Sequence, residues 1–170
     1  MGVGLVGREG MVGTSVLYGV DISTTSSVVV VPGFAWRIAV RDLVAVLASS
    51  STLAAFLNRY LCFELMQASS IALSARTKLE ARLARLLLML DDRAEGNWIP
   101  LTHDTIADEL GVRRPGISTT FNILKGRDLV QVGRGYLQIK NRSGLVDFAK
   151  PHYGGPEEEY ARLLGRFPRR

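Results

Sequence analysis

The pattern of hydrophobic and polar positions divides the chain into a glycine-rich first part and a helical remainder. Over the first forty residues, glycines alternate with β-branched runs, and the runs Val28–Val31 and Ala35–Val40 flank the turn pair Pro32–Gly33. This pattern predicts short strands joined by tight turns. The glycines of this segment lack the strand–loop–helix context of a nucleotide-binding loop, so we interpret them as turn residues.

A long helix is predicted from Leu53 to about Ala75, and apolar residues lie on nearly every side of its first half. A helix that is apolar all round needs cover on more than one face. One face can pack on the strands, and the same helix of a second subunit is the natural cover for the other, which predicts a symmetric dimer. The alternative is a central core helix of a monomer. The residues expected at the dimer contact are Leu53, Phe56, Leu57, Tyr60, Leu61, Glu64, Ala68 and Ile71.

A further helix is expected to begin at Thr77, because Thr77 and Glu80 have the spacing of a capping box. Leucines then recur at helical spacing with basic residues between them, so this helix is predicted to bury one face. The segment Asp91–Pro100 is predicted to be the loop that ends it. The leucines of the buried face are Leu79, Leu83, Leu86, Leu87 and Leu90.

Two short helices joined by a tight turn are predicted next. Thr102 is expected to cap the first helix, and Gly111 to end it in a left-handed backbone conformation. Pro115 fits only the first turn of the second helix, because proline has no amide hydrogen, and this helix runs to about Lys125. The residues expected to be buried are Ile106, Ala107, Leu110, Ile117, Phe121 and Leu124.

This spacing is typical of a helix-turn-helix, and the exposed side of its second helix is rich in hydrogen-bonding groups. Arg114 can donate two hydrogen bonds to a guanine edge, and Asn122 can reach a base or a phosphate. The strands Leu129–Val132 and Tyr136–Ile139 are predicted to form a wing with Arg134 at its tip, near the phosphate backbone. The residues expected to contact double-stranded DNA are Thr102, His103, Arg113, Arg114, Pro115, Ser118, Thr119, Asn122, Lys125 and Arg134.

The distribution of charge supports a polyanionic partner. Residues 1–75 hold four basic and four acidic side chains, so the rest of the chain carries the whole net charge of +5. The excess is greatest between Gly111 and Arg142, where seven basic side chains face only Asp128. Such a cluster favours binding to nucleic acid, with a solvated surface as the alternative.

Other classes of site find little support in the composition. Cys62 is the only cysteine, which excludes an internal disulfide, a cysteine-ligated zinc and a cysteine-held iron–sulfur cluster. His103 and His152 have no clustered carboxylates at ligand spacing, and the sequence contains no serine–histidine–acid set or phosphate loop. We therefore expect no catalytic residues, metal or cofactor. The charged residues within Leu53–Met66 argue against a membrane span, and the N-terminus lacks the pattern of a signal peptide, so a cytoplasmic protein is expected.

The segment LTHDTIADELGVRRPGIS at Leu101–Ser118, with the predicted wing after it, resembles the Crp/Fnr family of bacterial transcription regulators. The resemblance covers nearly the whole chain and implies an α+β fold, in which a β-roll of the cyclic-nucleotide-binding type precedes a long dimerisation helix and a winged helix-turn-helix. It implies a homodimer on a roughly palindromic operator, with RNA polymerase as a further candidate partner. The predicted domains are a partial sensor β-roll over 1–50, a dimerisation helix over 51–76, a winged helix-turn-helix domain over 77–150 and a C-terminal tail over 151–170.

The sequence also departs from the pattern of the family. By position, Arg114 matches the base-reading arginine of the family, but Pro115 replaces its common glutamate and Thr119 a second arginine, so the operator sequence cannot be inherited. Thr14 and Thr25–Ser26 stand where members that bind cyclic AMP use a glutamate and an arginine-containing pair, so binding of that kind is not expected. The family places about half a β-roll before the glycine turn that here begins at residue 7, so the first strands are expected to be missing. Two alternatives stay open: a receptor for another effector, and a truncated dimerising module that modulates full-length relatives.

Overall fold

The computed structural model describes residues 2–167, which form seven α-helices, a short 3₁₀ helix at Thr14–Tyr18 and one small sheet. The strands β1 (Ile99–Pro100), β2 (Val130–Gly133) and β3 (Tyr136–Ile139) are antiparallel and lie in the order β1-β3-β2. The combination of helices with a small antiparallel sheet agrees with the predicted α+β class. The helices are α1 (Val40–Ser49), α2 (Ser51–Ser74), α3 (Leu79–Arg93), α4 (His103–Leu110), α5 (Arg114–Gly126), α6 (Arg142–Ala149) and α7 (Gly155–Leu164).

Residues 2–39 contain no strand, so the strands predicted over Val28–Val31 and Ala35–Val40 are wrong. β-branched residues favour a strand only where a neighbouring strand accepts its hydrogen bonds and its side chains pack. Here Phe34 and Trp36 are fully exposed, and the valines at positions 28 and 29 are also exposed. The segment precedes the long helix, as the partial β-roll was expected to, but it forms no sheet of its own.

The first described residues lie across several helices of the chain. The amide of Gly2 donates to the carbonyl of Glu109 at the end of α4, at 2.9 Å. The amide of Leu5 donates to the side-chain oxygen of Gln67 on α2, at 2.6 Å. The segment 2–11 therefore connects the long helix to the helical domain that follows it.

The long helix α2 agrees with its prediction within two residues at its start and one at its end. Ser50 caps it, because its hydroxyl accepts a hydrogen bond from the amide of Leu53 at 3.3 Å. The preceding helix α1 was not predicted, and it meets α2 at an angle of 117°. Within residues 2–167 no single helix is long and apolar enough to cross a membrane. The bent pair of α1 and α2 together has the length and the composition of a membrane-spanning segment.

The central helix α3 differs from its prediction in two ways. It begins at Leu79, and the predicted capping box is wrong because Lys78 is the N-cap and its side chain makes no capping hydrogen bond; the Thr77 hydroxyl donates to the carbonyl of Ser74, at 2.7 Å. Every residue from Leu83 to Asp92 is buried, whereas only one buried face was predicted. The reason is tertiary: α4, α5 and α6 all pack against this helix.

Two hydrophobic clusters organise the chain. The larger one surrounds α3 and joins it to α4, α5, α6 and the sheet. The smaller one lies between α2 and α7, where the rings of Phe63 and Tyr160 meet edge to face with centroids 4.9 Å apart. The C-terminal tail expected over 151–170 therefore contains a packed helix, and its residues 168–170 lie outside the described residues.

Candidate nucleic-acid interface

The first helix of the predicted helix-turn-helix is capped as the sequence indicated. The Thr102 hydroxyl accepts a hydrogen bond from the amide of Thr105 at 3.1 Å, and α4 begins at the next residue. Gly111 ends the helix with φ 63°, in the left-handed region that favours glycine. Both capping predictions are confirmed, and they place His103 and Asp104 in the first turn of α4.

The second helix, α5, begins at Arg114, with Pro115 in its first turn as predicted. Its buried residues are Ile117, Thr120, Phe121 and Leu124, which include all three predicted for this helix. Ile106, Ala107 and Leu110 of α4 are buried as well, so the contact between the two helices is apolar. The opposite side of α5 consequently faces solvent.

The solvent-facing side of α5 carries most of the predicted DNA contacts. Ser118 is half-buried, and Thr119 is exposed but its hydroxyl donates back to the carbonyl of Pro115 at 3.1 Å. Since that hydrogen is engaged with the helix backbone, Thr119 presents only an acceptor outward. The exposed members are Arg113, Arg114, Pro115, Asn122 and Lys125.

Arg114 has an exposed partner on α4. Its Nε lies 3.3 Å from Oδ1 of Asp104, and the two side chains are 64% and 66% exposed. Exposed ion pairs contribute little to stability, so the guanidinium can leave this partner for another acceptor. The sequence analysis missed this pairing, which needs the turn geometry to bring the two residues together.

His103, the first residue of α4, contacts α5 with its ring. Its Nδ1 is 3.1 Å from Oγ of Ser118, and its ring is stacked on Phe121 with centroids 4.9 Å apart. Partial burial lowers the pKa of His103, the positive charges of Arg114 and Lys125 lower it further, and Asp104 opposes them. The imidazole is therefore neutral at neutral pH.

The wing forms as predicted, with Arg134 and Gly135 at its tip between β2 and β3. Gly135 has φ 82°, which the turn requires, and Arg134 is exposed. The carbonyl of Gly135 accepts a hydrogen bond from the amide of Leu101 at 3.0 Å, immediately before the cap of α4. This contact, together with the unpredicted strand β1, holds the wing tip beside the start of α4.

The basic cluster is smaller than its sequence suggested. Arg142 is directed inward, where its guanidinium lies 2.7 Å from a carboxylate oxygen of Asp91 and 2.6 Å from one of Asp92. It also donates a hydrogen bond to the hydroxyl of Tyr153. Lys140 pairs with Asp128 at 3.1 Å on the surface. Arg142 is thus a structural residue, and the exposed positive charge is concentrated on α5, its N-cap and the wing tip.

The predicted dimerisation residues lie mostly on the side of α2 that the chain itself covers. Tyr60 and Leu61 are buried, and the Tyr60 hydroxyl accepts a hydrogen bond from the amide of Met11 at 3.2 Å. Tyr60 is therefore packed within the chain and is not available to a partner, a correction to its predicted place. Phe56 is exposed, and the half-buried members are Leu53, Leu57, Glu64, Ala68 and Ile71.

The opposite side of α2 is exposed and apolar. Leu65 and Leu73 are 69% and 68% exposed, and no charged residue occurs from Leu65 to Ala75. We call this side the open face of α2. Its exposed members are Cys62, Leu65, Met66, Ser69 and Leu73.

Among residues 2–167, no group of three or more histidine, cysteine, aspartate or glutamate side chains could hold a metal ion.

Comparison with known proteins finds similarity to one domain family and to several solved structures. Residues 81–148 match the family model of the Crp-like helix-turn-helix domain. The chain is similar to the structure of FixK2 from Bradyrhizobium japonicum, with a TM-score of 0.57 and 22% identity over 64% of this chain and 57% of FixK2. It is similar to a CRP/FNR-family transcriptional regulator from Thermus thermophilus, with a TM-score of 0.50 and 25% identity over 56% of this chain and 53% of the other. No curated protein matches the chain. The chain spans little more than half the length of these solved structures, and the predicted α+β fold with a winged helix is confirmed.

Proposed function

We propose that this chain, in which residues 81–148 match the family model of the Crp-like helix-turn-helix domain, is a transcription regulator of the Crp/Fnr type that binds double-stranded DNA as a homodimer. The observation that carries the proposal is the solvent-facing side of α5. It presents Arg114, Asn122 and Lys125 on one side of a helix whose other side is packed into the core. A helix of this kind enters the major groove in helix-turn-helix proteins.

Two groups on α5 are suited to reading bases. Arg114 can donate two parallel hydrogen bonds to a guanine, and Asn122 can pair with an adenine edge. Pro115 offers no side-chain hydrogen bond, and the hydroxyl hydrogen of Thr119 is engaged with the helix backbone. Base reading therefore depends on Arg114 and Asn122, and we infer an operator that differs from the one a glutamate and second arginine would select.

The remaining predicted contacts suit the phosphate backbone. Arg113, Lys125 and Arg134 are exposed and positively charged, and the Leu101–Gly135 hydrogen bond keeps the wing tip near the start of α4. Thr102 and His103 lie at that start. Phosphate contacts of this kind set the orientation of a protein on the duplex and account for most non-specific affinity.

The homodimer uses the open face of α2 in this proposal. Leu65 and Leu73 of this face are about two-thirds exposed, in the part of α2 that carries no charge, and an exposed apolar stripe marks an interaction surface. A second copy of the same helix would cover the stripe and place two recognition helices on one side of the dimer. This keeps the predicted dimerisation helix and moves the contact to the side opposite Tyr60. A regulator of this kind acts where the chromosome lies, which supports the predicted cytoplasmic location.

The test is selection of bound sequences from a random double-stranded DNA pool with the full chain. We expect enrichment of two inverted half-sites whose centres lie about 10 base pairs apart, one helical turn. Enrichment of one isolated half-site would support base reading and contradict the homodimer. Recovery of unenriched DNA would contradict sequence-specific binding. The same selection with Arg114→Ala is the control, because it removes one base-reading group from an exposed position.

A further inference from the structure

His103 is held by the protein on two sides at the edge of the proposed DNA-binding face. Phe121, which is buried, supports one face of its ring, and Oγ of Ser118 on α5 lies 3.1 Å from its Nδ1. No hydrogen bond joins Nε2 to another of residues 2–167. The arrangement therefore fixes Nδ1 toward Ser118 and leaves Nε2 for a partner outside the described chain.

The hydrogen bond between His103 and Ser118 has more than one form, and protonation selects among them. In a neutral imidazole only one ring nitrogen carries a hydrogen. If that nitrogen is Nε2, the Ser118 hydroxyl donates to Nδ1 and presents only lone pairs outward. If it is Nδ1, the Ser118 hydrogen is free, but Nε2 becomes an acceptor. A neutral His103 thus always leaves one acceptor facing outward from the pair.

Protonation of His103 removes this outward-facing acceptor. In the imidazolium both nitrogens are donors, so Nδ1–H donates to Oγ and the hydroxyl hydrogen of Ser118 is free to donate elsewhere. The pair then presents two donors, Nε2–H and the Ser118 hydroxyl, together with a positive charge. The oxygens of a DNA phosphate accept hydrogen bonds and carry negative charge, so they match the protonated pair and not the neutral one.

We propose that His103 is a positioning residue whose imidazolium form turns Ser118 into an outward hydrogen-bond donor, so that the chain takes up a proton when it binds DNA. This inference rests on the proposed DNA-binding function, because the acceptor is a phosphate of the duplex.

The charges around His103 set the direction of the effect. Burial and the cations Arg114 and Lys125 of α5 lower its pKa in the free chain, against the opposing charge of Asp104 on α4. Phosphates that approach these cations offset their repulsion and favour the imidazolium, which raises the pKa of His103 in the complex. Since the bound state holds the proton more tightly, affinity for DNA increases as the pH falls between the two pKa values.

The test is the affinity of the full chain for a short random-sequence duplex between about pH 5.5 and pH 8 at constant salt, a range in which histidine is the side chain that ordinarily titrates. As the pH rises, we expect the affinity for DNA to fall over part of this range. The fall is at most about tenfold per pH unit, which is the limit for uptake of one proton. His103→Gln cannot titrate and should show no slope. His152→Gln is the matched control and should keep the slope, because the chain has only these two histidines and the backbone carbonyl of His152 binds Ser70 away from α5.

Ser118→Ala separates positioning from charge. In this variant the imidazolium of His103 still attracts phosphate, but the outward hydroxyl donor is lost. We therefore expect several-fold weaker binding near pH 6 and little change near pH 8. If His103 had a purely structural role, His103→Gln would weaken binding equally near pH 6 and near pH 8. An equal loss for Ser118→Ala at both values would overturn the positioning role.

The outcomes for the inference and for the proposed function are distinct. Binding that is independent of pH in the wild-type chain, or a slope that His103→Gln retains, overturns the inference and leaves the proposed function standing. Absence of binding at every pH contradicts both. Where His103→Gln does not fold, the imidazole resonances of the wild-type chain are titrated by NMR with and without the duplex. A pKa of His103 that does not rise on addition of DNA would overturn the inference.

Discussion

Glu9 and Arg93 form a buried ion pair that joins the N-terminal segment to the central helix α3. Oε1 of Glu9 lies 2.6 Å from Nε of Arg93, and the side chains are 0% and 6% exposed. The guanidinium of Arg93 also lies over the ring of Phe167, at 5.2 Å from its centroid, and the carbonyl of Glu9 accepts a hydrogen bond from the hydroxyl of Tyr160 at 2.9 Å. One buried contact thus connects the segment 2–11, α3 and the tail.

Glu9→Ala should lower the free energy of unfolding by about 3–5 kcal/mol, because it leaves the buried guanidinium of Arg93 without its carboxylate. The measurement is urea unfolding followed by circular dichroism. Asp147→Ala is the control: Asp147 pairs with Lys150 at 2.9 Å on the surface, and its loss should change stability by less than about 1 kcal/mol. Equal effects of the two substitutions would show that Glu9 does not connect the segment to the core.

Arg114→Ala should weaken binding to the selected operator by about 1–3 kcal/mol and relax the preference at one base pair of each half-site. The physical reason is loss of two directed hydrogen bonds to a base edge. The measurement compares affinities for the operator, for single-base variants of it and for a random duplex. An equal loss on operator and random duplex would assign Arg114 to phosphate instead.

Arg134→Ala should weaken binding to every sequence by a similar factor and lower the slope of log affinity against log salt by about one. The wing tip carries a single exposed positive charge, and a phosphate contact releases counterions without reading bases. Titrations at several salt concentrations check this. An unchanged salt slope with a changed base preference would contradict the assignment.

Leu65→Glu and Leu73→Glu should convert the proposed dimer to a folded monomer, because they place charge on the open face of α2. Both side chains are about two-thirds exposed within one chain, 69% and 68%, so folding of the chain itself should be retained. Sedimentation velocity measures the mass, and circular dichroism the fold. Val44→Glu on α1, where Val44 is 49% exposed, is the matched control and should stay dimeric. Dimers that persist in both leucine variants would contradict the open face as the contact.

Glu157→Gln should stabilise the chain near neutral pH relative to the wild type, with the difference vanishing in acid. Burial raises the pKa of Glu157, although hydrogen bonds and Arg93 oppose the shift. Because the folded state holds the proton more tightly than the unfolded state, wild-type stability falls as the pH rises through the window between the two pKa values. Glutamine keeps an acceptor for the amide of Gly154, which donates to Glu157 at 3.2 Å, without the charge.

The measurement is the melting temperature of both chains at about pH 4 and about pH 7, values on either side of the ordinary glutamate range. The difference between variant and wild type removes the contribution of other carboxyl groups. A variant that is less stable than the wild type at neutral pH would contradict the prediction, because it would mean that the charged form of Glu157 is needed by nearby arginines.

The winged helix-turn-helix could be predicted from the sequence because its signals are local. The cap at Thr102, the left-handed turn at Gly111 and the proline in the first turn of α5 each depend on residues within one helical turn, and all three are confirmed. The capping box at Thr77 failed despite a correct local pattern. The Thr77 hydroxyl donates to the carbonyl of Ser74 at the end of α2, and the helix begins one residue later than the box requires, with Lys78 as its N-cap.

What the sequence by itself determined is the type and order of the helices from α2 onward and the residues that α5 exposes, because helical periodicity and capping chemistry act over a few residues. Tertiary structure alone decided the rest. A β-branched run forms a strand only beside a partner strand, and Val28–Val31 has none within the described chain. A helix that is apolar all round does not reveal which side its own chain covers, so the covered side of α2 depended on distant residues such as Met11 and Tyr160. The pairing of Arg93 with Glu9 likewise joins residues 84 positions apart, a separation over which no periodic pattern carries information.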